Sequence, residues 1–174
     1  MPRKTLDPAG RTACATVGYT DSLGALMFER FFSDPLPAGT LAPDFTLPDD
    51  AGNQVSLSAL RGRSVVLVFY PGDSTPGCTR QLCQLRDSWE GARARGVEVF
   101  GVNPQSAGSH ADFRRHHKLP FPLLVDAGRK VASLYNANGI IVKRTVYLIG
   151  PDGVIRFARR GMPSPAEVLA AAGD

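Results

Sequence analysis

The longest unbroken apolar run in the chain, Val65-Val66-Leu67-Val68-Phe69-Tyr70, is β-branched and aromatic and is stopped by Pro71-Gly72-Asp73. Such a run predicts a strand buried on both faces. Upstream, Phe45-Thr46-Leu47 and Val55-Ser56-Leu57 flank the turn cluster Asp49-Asp50-Ala51-Gly52-Asn53 and predict a small hairpin. From Pro76 the apolar spacing becomes helical. Leu82, Leu85 and Trp89 recur three and four apart, predicting one helix to about Arg95, with Gly96 closing it. Residues 97–102 form a second buried run. Residues 106–118 read as a helix with Ala111 and Phe113, followed by Leu119, turned inward, and Leu119-Pro120-Phe121-Pro122 breaks it. A short strand at 123–125, a short helix at 129–135, a hairpin of 145–149 and 154–158 around Gly150-Pro151-Asp152-Gly153, and a closing helix at 163–172 complete the pattern.

The order β-β-β-α-β-α-β-α-β-β-α alternates strands with helices and then ends in an antiparallel hairpin. Right-handed crossovers place helices on both faces of a central mixed sheet. The expected class is α/β, and a thioredoxin-like fold is one member of it. Residues 1–40 carry no sustained periodicity beyond one short helix at 23–32. They read as an appended, poorly ordered segment before a domain spanning 41–174.

Composition narrows the partners. With 174 residues, 43% hydrophobic and 21% charged, the chain suffices for one compact core. The net charge of +4 is spread over scattered basic residues, with no basic stripe interleaved with aromatics, so nucleic-acid binding is not expected. No stretch approaches the roughly 18 apolar residues of a membrane helix. The segment 13–28 lacks a compact apolar core, so no secretory signal is read and the expectation is cytoplasmic. The three cysteines, Cys14, Cys78 and Cys83, are an odd number and argue against a structural disulfide framework. They combine with His110, His116 and His117 in no zinc-binding spacing. A metal site at His116-His117 is weak as well, since neighbours on a helix are expected to point apart.

The segment Pro71-Gly72-Asp73-Ser74-Thr75-Pro76-Gly77-Cys78 carries the chemistry. A buried strand ends, a tight loop turns, and a helix starts with a cysteine in its first turn. The unpaired N–H groups and partial positive charge of a helix N-terminus favour a thiolate, which is the nucleophilic form. A hydroperoxide suits such a thiolate: its O–O bond is weak, and it needs donors to its oxygens and a cation near the leaving oxygen. Thr75 can bring a hydroxyl beside the sulfur. The backbone N–H groups of Gly77 and Cys78 can point at substrate, and Gly77 has no side chain to obstruct it. The sulfenic acid formed would condense with a nearby thiol. Cys83 lies five residues on, where helix geometry leaves the Cα atoms roughly 8 to 9 Å apart. A disulfide tolerates about 7 Å, so residues 76–84 would have to unwind before the two could join. A thioredoxin-fold disulfide reductase would want Cys-x-x-Cys, which is absent. A redox sensor or chaperone-like binding protein using the same cysteines is the alternative function class.

The motif Pro-x-x-x-Thr-x-x-Cys, present as Pro71, Thr75 and Cys78, resembles that of the peroxiredoxins. So do Ala42-Pro43-Asp44-Phe45-Thr46-Leu47, Gly101-Val102-Asn103, Ser109-His110 and Leu119-Pro120-Phe121-Pro122-Leu123-Leu124. The chain is most similar to the bacterioferritin-comigratory or peroxiredoxin-Q subgroup. The resemblance implies a thioredoxin-like fold and makes Cys78 the peroxidatic cysteine and Cys83 the resolving one, joined in an intramolecular disulfide. It implies that Pro71 shapes the pocket, and that Thr75 and Arg144 orient sulfur and peroxide. It further implies reduction by thioredoxin, a monomeric state, and no metal, haem or flavin cofactor. Two positions depart from the family pattern: Val146 and Gly150 stand where a hydroxyl and an acid are usual.

Overall fold

The computed structural model describes residues 33–173. Its centre is β3 (Ser64–Phe69), in which every residue is buried. On one side it pairs in parallel with β4 (Val97–Asn103), which pairs in parallel with β5 (Leu123–Val125). On the other side it pairs antiparallel with β6 (Thr145–Ile149), and β6 with β7 (Ile155–Arg160). The sheet order is β5-β4-β3-β6-β7. A separate hairpin, β1 (Thr46–Pro48) with β2 (Gln54–Ser56), precedes it, and a 3₁₀ turn at Ser58–Leu60 that the periodicity does not reveal joins the two.

The two-residue repeat of a strand explains why β3 is apolar throughout. Val65, Leu67 and Phe69 enter one core cluster, while Val66, Val68 and the following Tyr70 enter the other. The first face is covered by Phe45 and Leu57 from around the hairpin and by Val131 and Ala132 of α4 (Lys130–Leu134). The second is covered by α1 (Pro76–Asp87), α2 (Trp89–Ala94), α3 (Ala107–His117) and α5 (Pro165–Ala170), through Cys78, Leu82, Ala92, Phe113 and Val168. The two crossovers that run β3-β4-β5 in one direction therefore set their helices on one face, as a right-handed connection requires.

Three details differ from the periodicity. The helix expected to run to Arg95 is two helices. At Ser88 the N–H turns to the carbonyls of Leu85 and Arg86, tightening the last turn of α1 and interrupting the regular ladder. In α3 the inward residue beside Phe113 is His110, fully buried, while Ala111 is only half-buried. Residues 33–40, expected in the appended segment, are bound to the body. Gly39 N–H donates to Ile155 O (2.8 Å), Ile155 N–H donates to Thr40 O (2.9 Å), and Leu36 N–H donates to the Tyr147 hydroxyl (2.9 Å). The helix expected at 23–32 and Cys14 lie outside the described residues. None of the described helices is long and apolar enough to cross a membrane.

Gly101 in β4 is required by packing. A Cβ there would lie 2.6 Å from Leu123 Cδ2 and 3.0 Å from Tyr70 Cε1. Gly101→Ala is expected to destabilise the fold by about 1–3 kcal/mol, the usual cost of overfilling a packed core. Urea unfolding of the two proteins measures it.

Candidate active site

Pro71 leaves β3 half-exposed, and the chain turns through Gly72, Asp73 and Ser74 into α1. Ser74 holds a positive φ of 61°, unusual for a residue with a side chain. Thr75 is the N-cap residue, in extended conformation, and Pro76 takes the first helical position, where its missing N–H costs nothing. Thr79 N–H donates to Thr75 O (2.9 Å) and is the first helical bond. The N–H groups of Gly77 and Cys78 therefore stand at the open, positive end of the helix. The Cys78 side chain is inaccessible to solvent.

Arg144, just before β6, donates from Nη2 to Cys78 Sγ at 3.2 Å. Its position is set by the backbone: Gly161 N–H donates to Arg144 O (2.9 Å), and the neighbouring Lys143 N–H donates to Ala137 O (2.6 Å). Gly77 has a sharper role than clearing the approach to the sulfur. A Cβ there would lie 2.8 Å from Arg144 Nη2 and 3.2 Å from Nη1, so the missing side chain is the seat of the guanidinium. Planar, permanently charged and carrying several donors, that group can hold a thiolate and still reach a second oxygen-bearing partner.

Cys83 sits half-buried in the second full turn of α1, and both thiols are free. Thr75 differs from expectation. It is exposed, and its hydroxyl donates to Gly72 O (3.3 Å) rather than meeting the sulfur. The hydroxyl missing at Val146 is found on the preceding residue. Thr145 is buried, donates to Lys143 O (2.8 Å) and accepts from Arg160, while Val146 packs in the core under α1. Gly150 leaves room for Arg156, which pairs with Asp152. His116 and His117 do not point apart: their rings meet edge to face at 4.7 Å. Among the described residues no group of three or more His, Cys, Asp or Glu side chains could hold a metal ion.

Two features of the site escape a reading of the sequence. Gln81, one turn beyond Cys78, is 3% exposed, and its Nε2 donates to Gly161 O (3.4 Å) while its Oε1 has no partner. Gly161 thus ties Gln81 and Arg144 to one residue. Asp73, three residues after the end of the Val65–Tyr70 run, is buried and accepts hydrogen bonds from four side chains, those of Tyr70, Asn103, Ser109 and His110. A pairing across 37 residues leaves no local pattern to detect.

The guanidinium geometry generates a prediction. Gly77→Ala places a methyl where Arg144 lies, and the expected result is a roughly ten- to hundredfold slower oxidation of Cys78 by hydrogen peroxide. Stopped-flow measurement on the reduced protein reads it.

The same fold is found among known proteins. The model of the AhpC/TSA family matches residues 38–158. The chain is 44% identical to the chloroplastic peroxiredoxin Q of Oryza sativa subsp. japonica over 74% of its own length, and spans 61% of the length of that relative. Among solved structures it is similar to peroxidoxin BcpB from Mycobacterium tuberculosis, with a TM-score of 0.72 and 30% identity over 79% of this chain and 94% of the other. It is also similar to the bacterioferritin comigratory protein of Xanthomonas campestris, studied for alkyl peroxide reduction, with a TM-score of 0.68 and 26% identity over 80% and 94%. A matching family model over most of the chain, a shared thioredoxin-like fold, and a buried cysteine at a helix start together show that this chain belongs to the AhpC/TSA family, among the peroxiredoxins of the Q or bacterioferritin-comigratory kind.

Proposed function

We propose that the protein is a thiol peroxidase that reduces hydrogen peroxide and organic hydroperoxides to water and alcohols. The observation that carries this is the Arg144 guanidinium bonded to the buried sulfur of Cys78 at the open end of α1. The thiolate attacks the outer oxygen of the hydroperoxide. An S–O bond forms, the O–O bond breaks, and the leaving oxygen takes a proton to depart as water or alcohol. Arg144 and the N–H groups of Gly77 and Cys78 face the charge that moves from sulfur to the leaving oxygen, which is where fixed dipoles lower a barrier most. Pro71 and Thr75 frame the mouth of the loop. No metal, haem or flavin is required, since the sulfur itself carries both electrons.

In the same reading Cys83 resolves the sulfenic acid: its sulfur displaces hydroxide from Cys78, water leaves, and an intramolecular disulfide forms. Both cysteines belong to one unbroken helix here. That puts their Cα atoms about 8 to 9 Å apart by helical rise and rotation, beyond the roughly 7 Å a disulfide spans. Turnover thus requires the first turns of α1 to unwind and then reform. A dithiol protein of the thioredoxin type would return the disulfide to two thiols, in a reducing compartment such as the cytoplasm and with the protein acting as a monomer. A redox sensor using the same disulfide would be oxidised once without turnover.

Two variants test the assignment. Cys78→Ser is expected to abolish peroxide consumption in an assay coupled to thioredoxin, its reductase and NADPH, and retained activity would remove Cys78 as the nucleophile. Cys83→Ser is expected to form sulfenic acid at Cys78 at the normal rate and then stall. Normal coupled turnover in that variant would assign resolution to another thiol. Oxidation of the unmodified protein by one equivalent only, without NADPH consumption, would favour the sensor.

A further inference from the structure

The buried pair Asp73–His110 takes no part in the bond changes above, yet it lies immediately upstream of the reactive helix. Asp73 Oδ1 accepts from the Tyr70 hydroxyl (2.8 Å) and Asn103 Nδ2 (3.0 Å). Oδ2 accepts from the Ser109 hydroxyl (2.7 Å) and pairs with His110 Nδ1 (2.8 Å). His110 Nε2 faces Leu124 O at 3.3 Å. Both ring nitrogens thus meet oxygen atoms. Neither side chain is appreciably open to solvent, at 0% for His110 and 2% for Asp73. The Asp73 backbone N–H also donates to Gln105 Oε1, which presses against Gly72 where a Cβ would lie 2.9 Å away. Burial works to raise the Asp73 carboxyl. The hydrogen bonds from His110 and Ser109, the His110 charge and the Tyr70 hydroxyl outweigh it and hold the group below the usual carboxylate range. Tyr70 is held well above its ordinary value, first by burial and then by the Asp73 charge beside it, with Cys78 adding in the same direction.

Stability alone does not account for this arrangement. A buried polar pair repays its desolvation only when the geometry is good, and well-packed apolar side chains often serve stability equally. What such a pair does supply is one defined geometry. The loop needs it. Gly72 and Gly77 are the two positions with the widest backbone freedom. Thr75, the N-cap residue, makes no side-chain bond to the helix it opens. Ser74 sits in the left-handed region. Within the loop only the Thr75 hydroxyl bond to Gly72 O is local, whereas Asp73 is fastened to the end of β3, to β4 and to α3 at once.

We propose that Asp73 and His110 are positioning residues for peroxide reduction: they fasten the segment 72–77 to β4 and α3 and so set the Cys78 sulfur, the N–H groups behind it and the Arg144 guanidinium in register. The inference rests on the peroxidase reading. It separates two kinds of reactivity. Both reagents must reach the buried sulfur, but peroxide also needs its donors in register, whereas an alkylating reagent such as iodoacetamide makes no use of them.

The experiment compares Asp73→Asn, His110→Asn and Ser109→Ala with the unmodified full chain. Rates of loss of reduced Cys78 are measured by quenching and mass spectrometry, once with hydrogen peroxide and once with iodoacetamide. Asp73→Asn and His110→Asn are expected to slow the peroxide reaction roughly ten- to hundredfold, the effect of displacing reacting groups by about 1 Å. Alkylation is expected to keep its rate to within about threefold. Ser109→Ala removes one of four bonds and is expected to slow peroxide about fivefold, the scale of one net hydrogen bond. Peroxide rates within about threefold of the unmodified protein for both pair variants would overturn the proposal. So would equal losses in the two reactions, which would place the effect on thiolate ionisation instead of geometry. If the pair variants lose their thermal unfolding transition, Ser109→Ala decides on the same two rates. If the unmodified chain does not react with peroxide at all, the peroxidase reading itself falls and the proposal with it.

Discussion

Everything functional in this protein depends on one buried sulfur to which a guanidinium and a helix N-terminus are brought. Burial opposes a thiolate, and Cys78 is wholly buried. Two features from different parts of the chain face it, the open N-terminus of α1 and a guanidinium at 3.2 Å, and the missing side chain at Gly77 leaves room for the second. The central sheet brings the end of β3 and the start of β6 side by side. The antiparallel pairing of Phe69 with Thr145 fixes Pro71 and Arg144 on neighbouring strand ends.

The same requirement shows which parts are legible in the residues alone. β3 is legible because burial on both faces removes polar positions, and six apolar residues closed off by Pro71-Gly72 are too few for a buried helix. Cys78 is legible because strand end, Pro71, Thr75 and helix start all lie within one short segment. Arg144 carries no local pattern. It is 66 residues from the sulfur it meets, and only its likeness to a family motif singles it out. The motif alone puts the Thr75 hydroxyl beside the sulfur, whereas the extended backbone at the cap carries it back to Gly72.

The elements that are not legible share a physical cause. The family likeness marks His110 together with Ser109, but its partner is not legible until Asp73 is brought to it by the packing of three elements. Residues 33–40 hold to the body by backbone bonds to β7 and by the Tyr147 hydroxyl, and backbone pairing leaves almost no trace in side-chain pattern. The division at Ser88 is invisible because a single tightened turn shifts the phase of the apolar positions too little to change their spacing.

That division nevertheless decides how far a local opening can spread. A continuous helix transmits fraying from turn to turn, since each bond lost frees the next. Here the ladder is already broken after Asp87, and the following helix begins afresh with Trp89 packed at a tilt against Phe121, ring centroids 5.9 Å apart. Melting of the cysteine-bearing turns therefore meets a firebreak. Under the proposed disulfide cycle the reactive stretch would open at each turnover while the hydrophobic floor beneath it keeps its shape for the return.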